Sequence, residues 1–195
     1  PGKAPTEISR RDEVWTGPAG VVTIAGGKLT GYRKMASTVV EQVGSALGRS
    51  FPEVPGDRPL PGGDFSGSTD ALAASLEAHF GLEPLAAGRL ARLYGAEAER
   101  VAKLGAAPIL AGGRVLEGEI PWAIEQEAAA TVCDVIYRRT RSALYEPAER
   151  EALVEPVADR MAAHLAWSPE RRQREVDGVR ERLEADLAFQ AGAPE

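Results

Sequence analysis

The feature that most limits how this chain can fold is a stretch rich in proline and glycine between Gly48 and Thr69. Four prolines and four glycines share it, at Pro52, Pro55, Gly56, Pro59, Pro61, Gly62, Gly63 and Gly67. Proline lacks the backbone donor that helices and central strands use, and glycine loses the most conformational freedom on folding. The stretch therefore predicts a first domain over residues 1–50, a linker over residues 51–69 and a second domain over residues 70–195.

The composition is that of a globular protein that folds without disulfide bonds. Hydrophobic residues make up 44% and charged residues 27% of the 195 residues, which is too apolar for a disordered chain. A single cysteine, Cys133, excludes an intrachain disulfide and a multi-cysteine metal site. The formal net charge of −6 argues against a broad nucleic-acid-binding surface. No window approaches the roughly 18 apolar residues that a membrane-spanning helix requires.

The first domain is predicted to contain a strand, a turn and a helix. Residues 21–25 form a short run rich in β-branched residues, and Gly26 and Gly27 follow it directly. This pattern is typical of a strand. From Leu29 onward apolar residues recur every four positions, and Gly48 is a plausible end for the resulting helix. That apolar stripe consists of Met35, Val39, Val43 and Leu47.

The second domain is predicted to be all-helical, with about six helices. One long helix should carry Trp122 and Ile136 on its apolar side. The last helix should begin at Ser168 and Pro169, because a capping hydroxyl followed by proline is a strong helix start. The predicted fold class is therefore mainly α, with a strand-turn-helix segment in front of a helical domain.

The turn at Gly26, Gly27 and Lys28 is the strongest candidate for a ligand contact. Glycines let a ligand approach the backbone, a helix start offers unpaired N–H groups, and Lys28 adds a full positive charge. Such a turn suits an anion or the polar edge of a ring. Neither the P-loop spacing nor G-x-G-x-x-G occurs in the chain. The local pattern leaves a purely structural turn open as the alternative.

Other reactive side chains have simpler explanations. Cys133 stands beside Val132 in an apolar helical pattern, which predicts a core residue rather than a reactive thiol. His79 and His164 lie far apart without ligand spacing, so no metal site is expected. A run of arginines is typical of a solvated helix face, with docking onto another domain or onto acidic lipid as the alternative. That run is Arg138, Arg139 and Arg141.

Five motifs stand in a fixed order along the chain. They are Pro5-Thr6-Glu7-Ile8-Ser9-Arg10, Gly26-Gly27-Lys28-Leu29-Thr30-Gly31-Tyr32-Arg33-Lys34-Met35, Leu60-Pro61-Gly62-Gly63, Tyr94-Gly95 and Arg138-Arg139-Thr140. In this order they resemble the C-terminal part of the FAD-dependent, aerobic glycerol-3-phosphate dehydrogenases. The resemblance covers nearly the whole chain, and the second motif is the specific one. It implies that residues 1–50 end an FAD-binding domain and that a helical C-terminal domain follows. The chain starts at Pro1 without Met, so we expect it to be part of a longer protein.

The resemblance also implies roles for individual residues. Lys28 and Arg10 would face the substrate, and a five-residue segment would pack against the flavin. That segment is Gly26, Gly27, Lys28, Leu29 and Thr30. The family's dinucleotide-binding glycine motif and active-site histidine lie upstream of this chain, and neither His79 nor His164 matches that histidine. We therefore expect no catalytic residue here, most of the FAD site in the upstream part, and no activity of this chain alone.

The implied reaction is oxidation of sn-glycerol 3-phosphate to dihydroxyacetone phosphate by hydride transfer to FAD, with electrons passed to a membrane quinone. The quinone follows from the resemblance alone. One alternative is an oxidase that passes electrons to oxygen, and another is a helical docking domain without chemistry. The expected partners are a small phosphorylated polyol and the quinone, and no nucleic acid. The protein would be cytoplasmic, with peripheral attachment to the inner face of the cell membrane and a homodimer left open.

Overall fold

A computed structural model describes residues 12–53 and 55–191 of the chain. The chain divides into two compact units, Pro1–Arg58 and Pro59–Glu195, which we call the first unit and the helical unit. This division falls within the stretch predicted as a linker. The functional domain boundaries near residues 50 and 70 stay a prediction.

The first unit contains a two-stranded sheet. Strand β1, Asp12–Thr16, pairs antiparallel with strand β2, Val22–Gly26, and places Val14 opposite Ile24. The strand predicted at residues 21–25 is therefore present, one residue further along. Its partner β1 was not predicted, because the sequence before Thr16 lacks a clear apolar alternation.

A helix follows the sheet in the same unit. A single 3-10 turn, Leu29–Gly31, leads into helix α1, Tyr32–Leu47. The helix ends at Gly48, whose φ of 62° lets its N–H reach back to the carbonyls of the last turn. The side chain of Gln42 donates to the hydroxyl of Thr16 at 3.1 Å, which ties α1 to β1.

The helical unit confirms the prediction of an all-helical second domain. Among the described residues it contains seven α-helices: α2, Thr69–Phe80; α3, Pro84–Tyr94; α4, Ala98–Leu104; α5, Glu119–Glu127; α6, Ser142–Tyr145; α7, Val154–Leu165; and α8, Pro169–Ala191. Ser68 and Ser168 cap α2 and α8, since each hydroxyl accepts a backbone N–H three residues on at 3.2 Å.

The long helix expected through Trp122 and Ile136 is interrupted. Helix α5 ends at Glu127, and the next residue, Ala128, has a φ of 56°. A π-helical segment, Asp134–Arg139, begins six residues after Ala128. Thr131 and Asp134 form a reciprocal capping box between them: the Asp134 amide donates to the Thr131 hydroxyl at 3.1 Å, and the Thr131 amide donates to the Asp134 carboxylate at 2.9 Å. A new helical segment therefore starts where the sequence suggested continuity.

Two groups of buried side chains form the core of the helical unit. The larger includes Ile136, Val157 and Val176, and the smaller includes Leu76 and Leu90. Helix α5 contributes to both, with Ile120 and Ala123 in the larger group and Trp122 in the smaller. No helix in the described part of the chain is long and apolar enough to cross a membrane.

Candidate functional site

The turn between β2 and α1 has the backbone that its sequence suggests. Gly26 and Gly27 have φ values of 80° and 83°, in the left-handed region that side chains disfavour. Lys28 returns to an extended conformation with φ of −90° and ψ of 141°. Its carbonyl accepts the Gly31 amide at 2.8 Å, which closes the 3-10 turn before α1. The two glycines thus connect β2 to a 3-10 turn and place Lys28 directly before it.

This turn is open to its surroundings. Lys28 and Thr30 are exposed, and Leu29 is 88% exposed. Among the described residues, no side chain caps the 3-10 turn or α1. The first N–H groups of a helix lack intrahelical partners and carry partial positive charge. The turn can therefore offer backbone donors and one lysine charge to an anionic or polar group.

The predicted substrate residue Arg10 lies outside the described residues. Asp12, two positions later, pairs with Gly26 in the sheet. Strand β1 therefore begins beside the end of β2 from which the turn leaves.

The described part of the first unit exposes its large apolar side chains. Gly44 is the one described residue before Pro59 that is buried. The exposed apolar side chains include Trp15 at 46%, Val21 at 61%, Leu29 at 88%, Tyr32 at 53% and Leu47 at 60%. Exposed apolar area on this scale is typical of a surface that packs against further protein.

A buried ionic network in the helical unit was not predicted from the sequence. The Arg89 guanidinium donates to both carboxylate oxygens of Glu119, at 2.7 and 3.0 Å, and Glu119 is completely buried. The Tyr94 hydroxyl donates to the same carboxylate at 3.0 Å, and the Leu116 amide donates to it at 2.8 Å. Arg89 also donates to the carbonyl oxygen of Thr140 at 3.0 Å. The Glu119 carboxylate thus accepts hydrogen bonds from two side chains and one backbone amide, and Arg89 donates in addition to a backbone carbonyl.

Burial governs the ionisation of this network. Burial and the Glu119 charge raise the pKa of Tyr94 above its ordinary range, so the phenol stays protonated and acts as a donor. Burial alone would lower the pKa of Arg89, but the adjacent Glu119 carboxylate outweighs it and raises that pKa. Tyr94 and Arg89 therefore stay protonated near neutral pH and act as hydrogen-bond donors that order this part of the core.

Three sequence motifs meet in this region. Tyr94-Gly95 supplies the phenol, and Arg138-Arg139-Thr140 supplies the carbonyl that Arg89 contacts. The Leu60-Pro61-Gly62-Gly63 motif contacts the residue after Gly95, because the Ala96 amide donates to the Gly62 carbonyl at 2.9 Å. Sequence reasoning missed Arg89 and Glu119, because a buried charged pair has no local pattern. The order of the surrounding motifs was the available signal.

The other predicted candidates take structural positions. Cys133 is half-buried, and burial raises the pKa of its thiol. The reactive thiolate form is therefore disfavoured. His79 contacts Ser75 at 3.3 Å, and His164 lies 3.2 Å from Glu125. Among the described residues, no group of three or more His, Cys, Asp or Glu could hold a metal ion.

The arginine run is largely engaged within the helical unit. Arg138 pairs with Asp134 at 2.7 Å, and Arg139 donates to the carbonyl oxygen of Glu127 at 2.5 Å. Arg141 is exposed and adopts a positive φ of 56° at the start of α6. Arg139 therefore ties the π-helical segment to the end of α5, whereas Arg138 pairs within the segment.

Comparison with known proteins points to one family. A family model described as the C-terminal domain of alpha-glycerophosphate oxidase matches residues 56–172. The aerobic glycerol-3-phosphate dehydrogenase of Bacillus subtilis is 35% identical over 181 residues, 85% of this chain and 33% of that protein. That of Staphylococcus aureus is 32% identical over 181 residues, 86% of this chain and 32% of that protein. This chain spans about a third of the length of these curated relatives.

A solved structure shares the fold. The X-ray structure of the glycerol-3-phosphate dehydrogenase from Bacillus halodurans, complexed with FAD, matches with a TM-score of 0.74 and 28% sequence identity. The match covers 88% of this chain and 37% of that one.

Proposed function

The chain belongs to the family of the C-terminal domain of alpha-glycerophosphate oxidase, and from this premise we propose that it is the C-terminal part of an FAD-dependent enzyme that oxidises sn-glycerol 3-phosphate to dihydroxyacetone phosphate. The relatives from Bacillus subtilis and Staphylococcus aureus are named for the dehydrogenase, and the protein from Bacillus halodurans was solved with FAD. The turn at Gly26, Gly27 and Lys28 is the observation in the chain itself that carries the proposal.

The residues of the turn fit a flavin. Gly26 and Gly27 have no side chain to block an approaching ring, and they lead into a helical start that no described side chain caps. In the proposal, Gly26, Gly27, Lys28, Leu29 and Thr30 contact the flavin. FAD when bound accepts a hydride from the substrate. The helical start then stabilises negative charge that develops on the side of the ring facing it.

Arg10 and, in addition to its place in the flavin segment, Lys28 are proposed to bind the substrate phosphate. A dianionic phosphate is best bound by cationic donors, and Lys28 is exposed at the turn. Arg10 precedes β1, whose first residue, Asp12, pairs with Gly26. This pairing supports an arrangement in which both cations serve one site.

The electron acceptor divides two versions of the proposal. We propose a quinone, in line with the name dehydrogenase carried by the relatives that are 35% and 32% identical. The oxidase version, in which oxygen is the acceptor, is favoured by the description of the matching family. Stoichiometric hydrogen peroxide from the complete enzyme would favour the oxidase, whereas quinone-dependent turnover without peroxide would favour the dehydrogenase.

A quinone acceptor also bears on location and partners. Quinones of this kind dissolve in lipid, so the proposed enzyme is cytoplasmic and works peripherally at the inner face of the cell membrane. A homodimer is compatible with the exposed apolar side chains of the first unit, although an upstream domain is the occupant that we propose for them.

A helical docking domain without chemistry is the competing class. Such a domain would pack the glycine turn as a structural corner, whereas here Lys28 and Leu29 project from it. This exposure supports an enzyme in which the turn faces a ligand.

Replacement of Lys28 by methionine in the complete enzyme tests the proposal. Loss of a charge-assisted hydrogen bond to phosphate costs roughly 1.5–3 kcal/mol, so kcat/KM should fall about 10- to 150-fold, with little change in flavin content. Lys34→Met is the matched control, since Lys34 is an exposed lysine of α1 six positions away. Rates are normalised to bound FAD. An unchanged kcat/KM for Lys28→Met, or an equal loss for Lys34→Met, would remove Lys28 from the substrate site.

A further inference from the structure

Two motifs that lie far apart in the sequence meet through their backbones. The Ala96 amide donates to the carbonyl oxygen of Gly62 at 2.9 Å. A Cβ added at Gly62 would lie 2.5 Å from the carbonyl oxygen of Tyr94, and one added at Gly95 would lie 2.0 Å from the Gly62 oxygen. Both glycines have positive φ, 78° and 53°. Only glycine fits at either position. We call the backbone contact between Gly62 and the segment Tyr94 to Ala96 the clamp.

The receiving side of the clamp is held firmly. Gly95 ends α3, and its amide donates to the carbonyl of Ala91. The side chain of Tyr94 is buried and donates to Glu119 in the ionic network. The ring of Phe65 lies against Gly95, 3.3 Å from where a Cβ would stand. The connecting segment is therefore anchored to a buried and hydrogen-bonded part of the helical unit.

The same segment has a second anchor within the first unit. The Arg33 side chain donates to the carbonyl oxygen of Gly56 at 3.0 Å. The chain after α1 also returns onto the helix, because the Arg49 amide donates to the Gly44 carbonyl at 2.9 Å. Phe51 covers Gly44, where its ring would lie 3.3 Å from an added Cβ.

From these two anchors we propose that the predicted linker acts as a short hinge of Asp57, Arg58 and Pro59, with the clamp fixing its downstream end. The three hinge residues are exposed. Between Gly56 and Leu60 the chain can span at most about 14 Å, because an extended chain advances roughly 3.3–3.6 Å per residue. If the clamp opened, the free segment would extend to Ser68, which caps α2. The clamp thus sets the length of free chain that connects the two units, and this role does not depend on the proposed reaction.

Gly62→Ala tests the clamp, with Gly67→Ala as its control. Both glycines have positive φ, 78° and 95°, so alanine introduces similar backbone strain at each. At Gly67 an added Cβ meets nothing within 4 Å, whereas at Gly62 it collides with Tyr94. In the full chain, hydrogen exchange of the Ala96 amide should rise at least about tenfold in Gly62→Ala and stay unchanged in Gly67→Ala. Amides in the middle of α3 should keep their protection in both.

Proteolysis provides a second measure of the same hinge. A protease that cleaves before aspartate should cut the unaltered chain at Asp57, in the hinge, and spare Asp64, next to the clamp. In Gly62→Ala the cut at Asp64 should appear, because the clamp no longer holds the backbone around it.

Several outcomes would overturn the proposal. Equal exchange at Ala96 in the two glycine variants would do so, and so would equal cutting at Asp57 and Asp64 in the unaltered chain. If Gly62→Ala does not fold, Phe65→Ala takes its place, since it removes packing on Gly95 without backbone strain. Faster exchange at Ala96 with α3 still protected would then support the clamp, and unchanged exchange would contradict it.

Discussion

The first unit and the helical unit differ in where their apolar side chains lie. In the described part of the chain, the buried hydrophobic residues all lie beyond Arg58, from Ala73 to Leu183. The first unit also contains regular secondary structure, two strands and a helix, but it exposes Trp15, Leu29 and Leu47. Burial of apolar surface is the main favourable term in folding. The comparison indicates that the helical unit carries its own core, whereas the described part of the first unit lacks one, so we expect the first unit to need a partner surface to become stable.

The contrast extends to polar groups. In the helical unit, Glu119 is completely buried and bound by Arg89, Tyr94 and the Leu116 amide. In the first unit, Lys28 and the uncapped start of α1 face outward. Polar groups therefore serve order in one unit and remain available for a ligand in the other.

The largest expected effect concerns the buried network. Glu119→Ala would leave the Arg89 charge buried without its carboxylate, and breaking a buried pair in this way costs about 3–5 kcal/mol. Urea denaturation of the chain should show this loss. Glu99→Ala is the control, because Glu99 forms an exposed pair with Lys103 within α4 and its loss should barely change the midpoint. Equal midpoints for the two variants would contradict a self-contained core organised around Glu119.

A smaller effect is expected at the capping box that interrupts the predicted long helix. Burial alone would raise the pKa of Asp134, but hydrogen bonds from Thr131 and Ala130 and the charge of Arg138 outweigh it and lower that pKa below 3.8. A lowered folded-state pKa means that the carboxylate stabilises the fold above about pH 3.8 and that this stabilisation is lost as the pH falls through the folded pKa.

Asp134→Asn should therefore lower the free energy of unfolding by about 1–2 kcal/mol at pH 7, with the difference shrinking below pH 4. The measurement is denaturant unfolding of both proteins across this pH range. Asp177→Asn serves as the control, since Asp177 is exposed on α8 and contacts only the nearby Gln173 among the contacts described. A difference that persists unchanged at low pH would show that the Asp134 charge is not the source.

Much of the fold was predictable because local signals agreed. The glycines at Gly26 and Gly27 marked the turn, and Ser168 with Pro169 marked the start of α8. The break after α5 was also encoded, since Thr131-Val132-Cys133-Asp134 has the spacing of a capping box, but the apolar pattern around it favoured a continuous helix.

Other features depend on contacts that no local pattern carries. Strand β1 is defined by its pairing with β2 more than by its own residues. Arg89 and Glu119 are 30 residues apart, and each alone resembles a surface residue. For the turn, the sequence indicated residue types suited to an anion, and the structure adds their exposure. The roles of Lys28 and Arg10 stay predictions that require the complete enzyme.

Hydrogen exchange, measured on this chain alone and on the complete enzyme, tests the central comparison most directly. If the first unit depends on a partner surface, amides of β2 and α1 should exchange rapidly in the chain alone, at least about 100-fold faster than those of α3 and α7. In the complete enzyme, the amides of β2 and α1 should become protected while those of α3 and α7 change little. Equal protection of α1 and α3 in the chain alone would contradict the account, because the first unit would then be stable without any further partner.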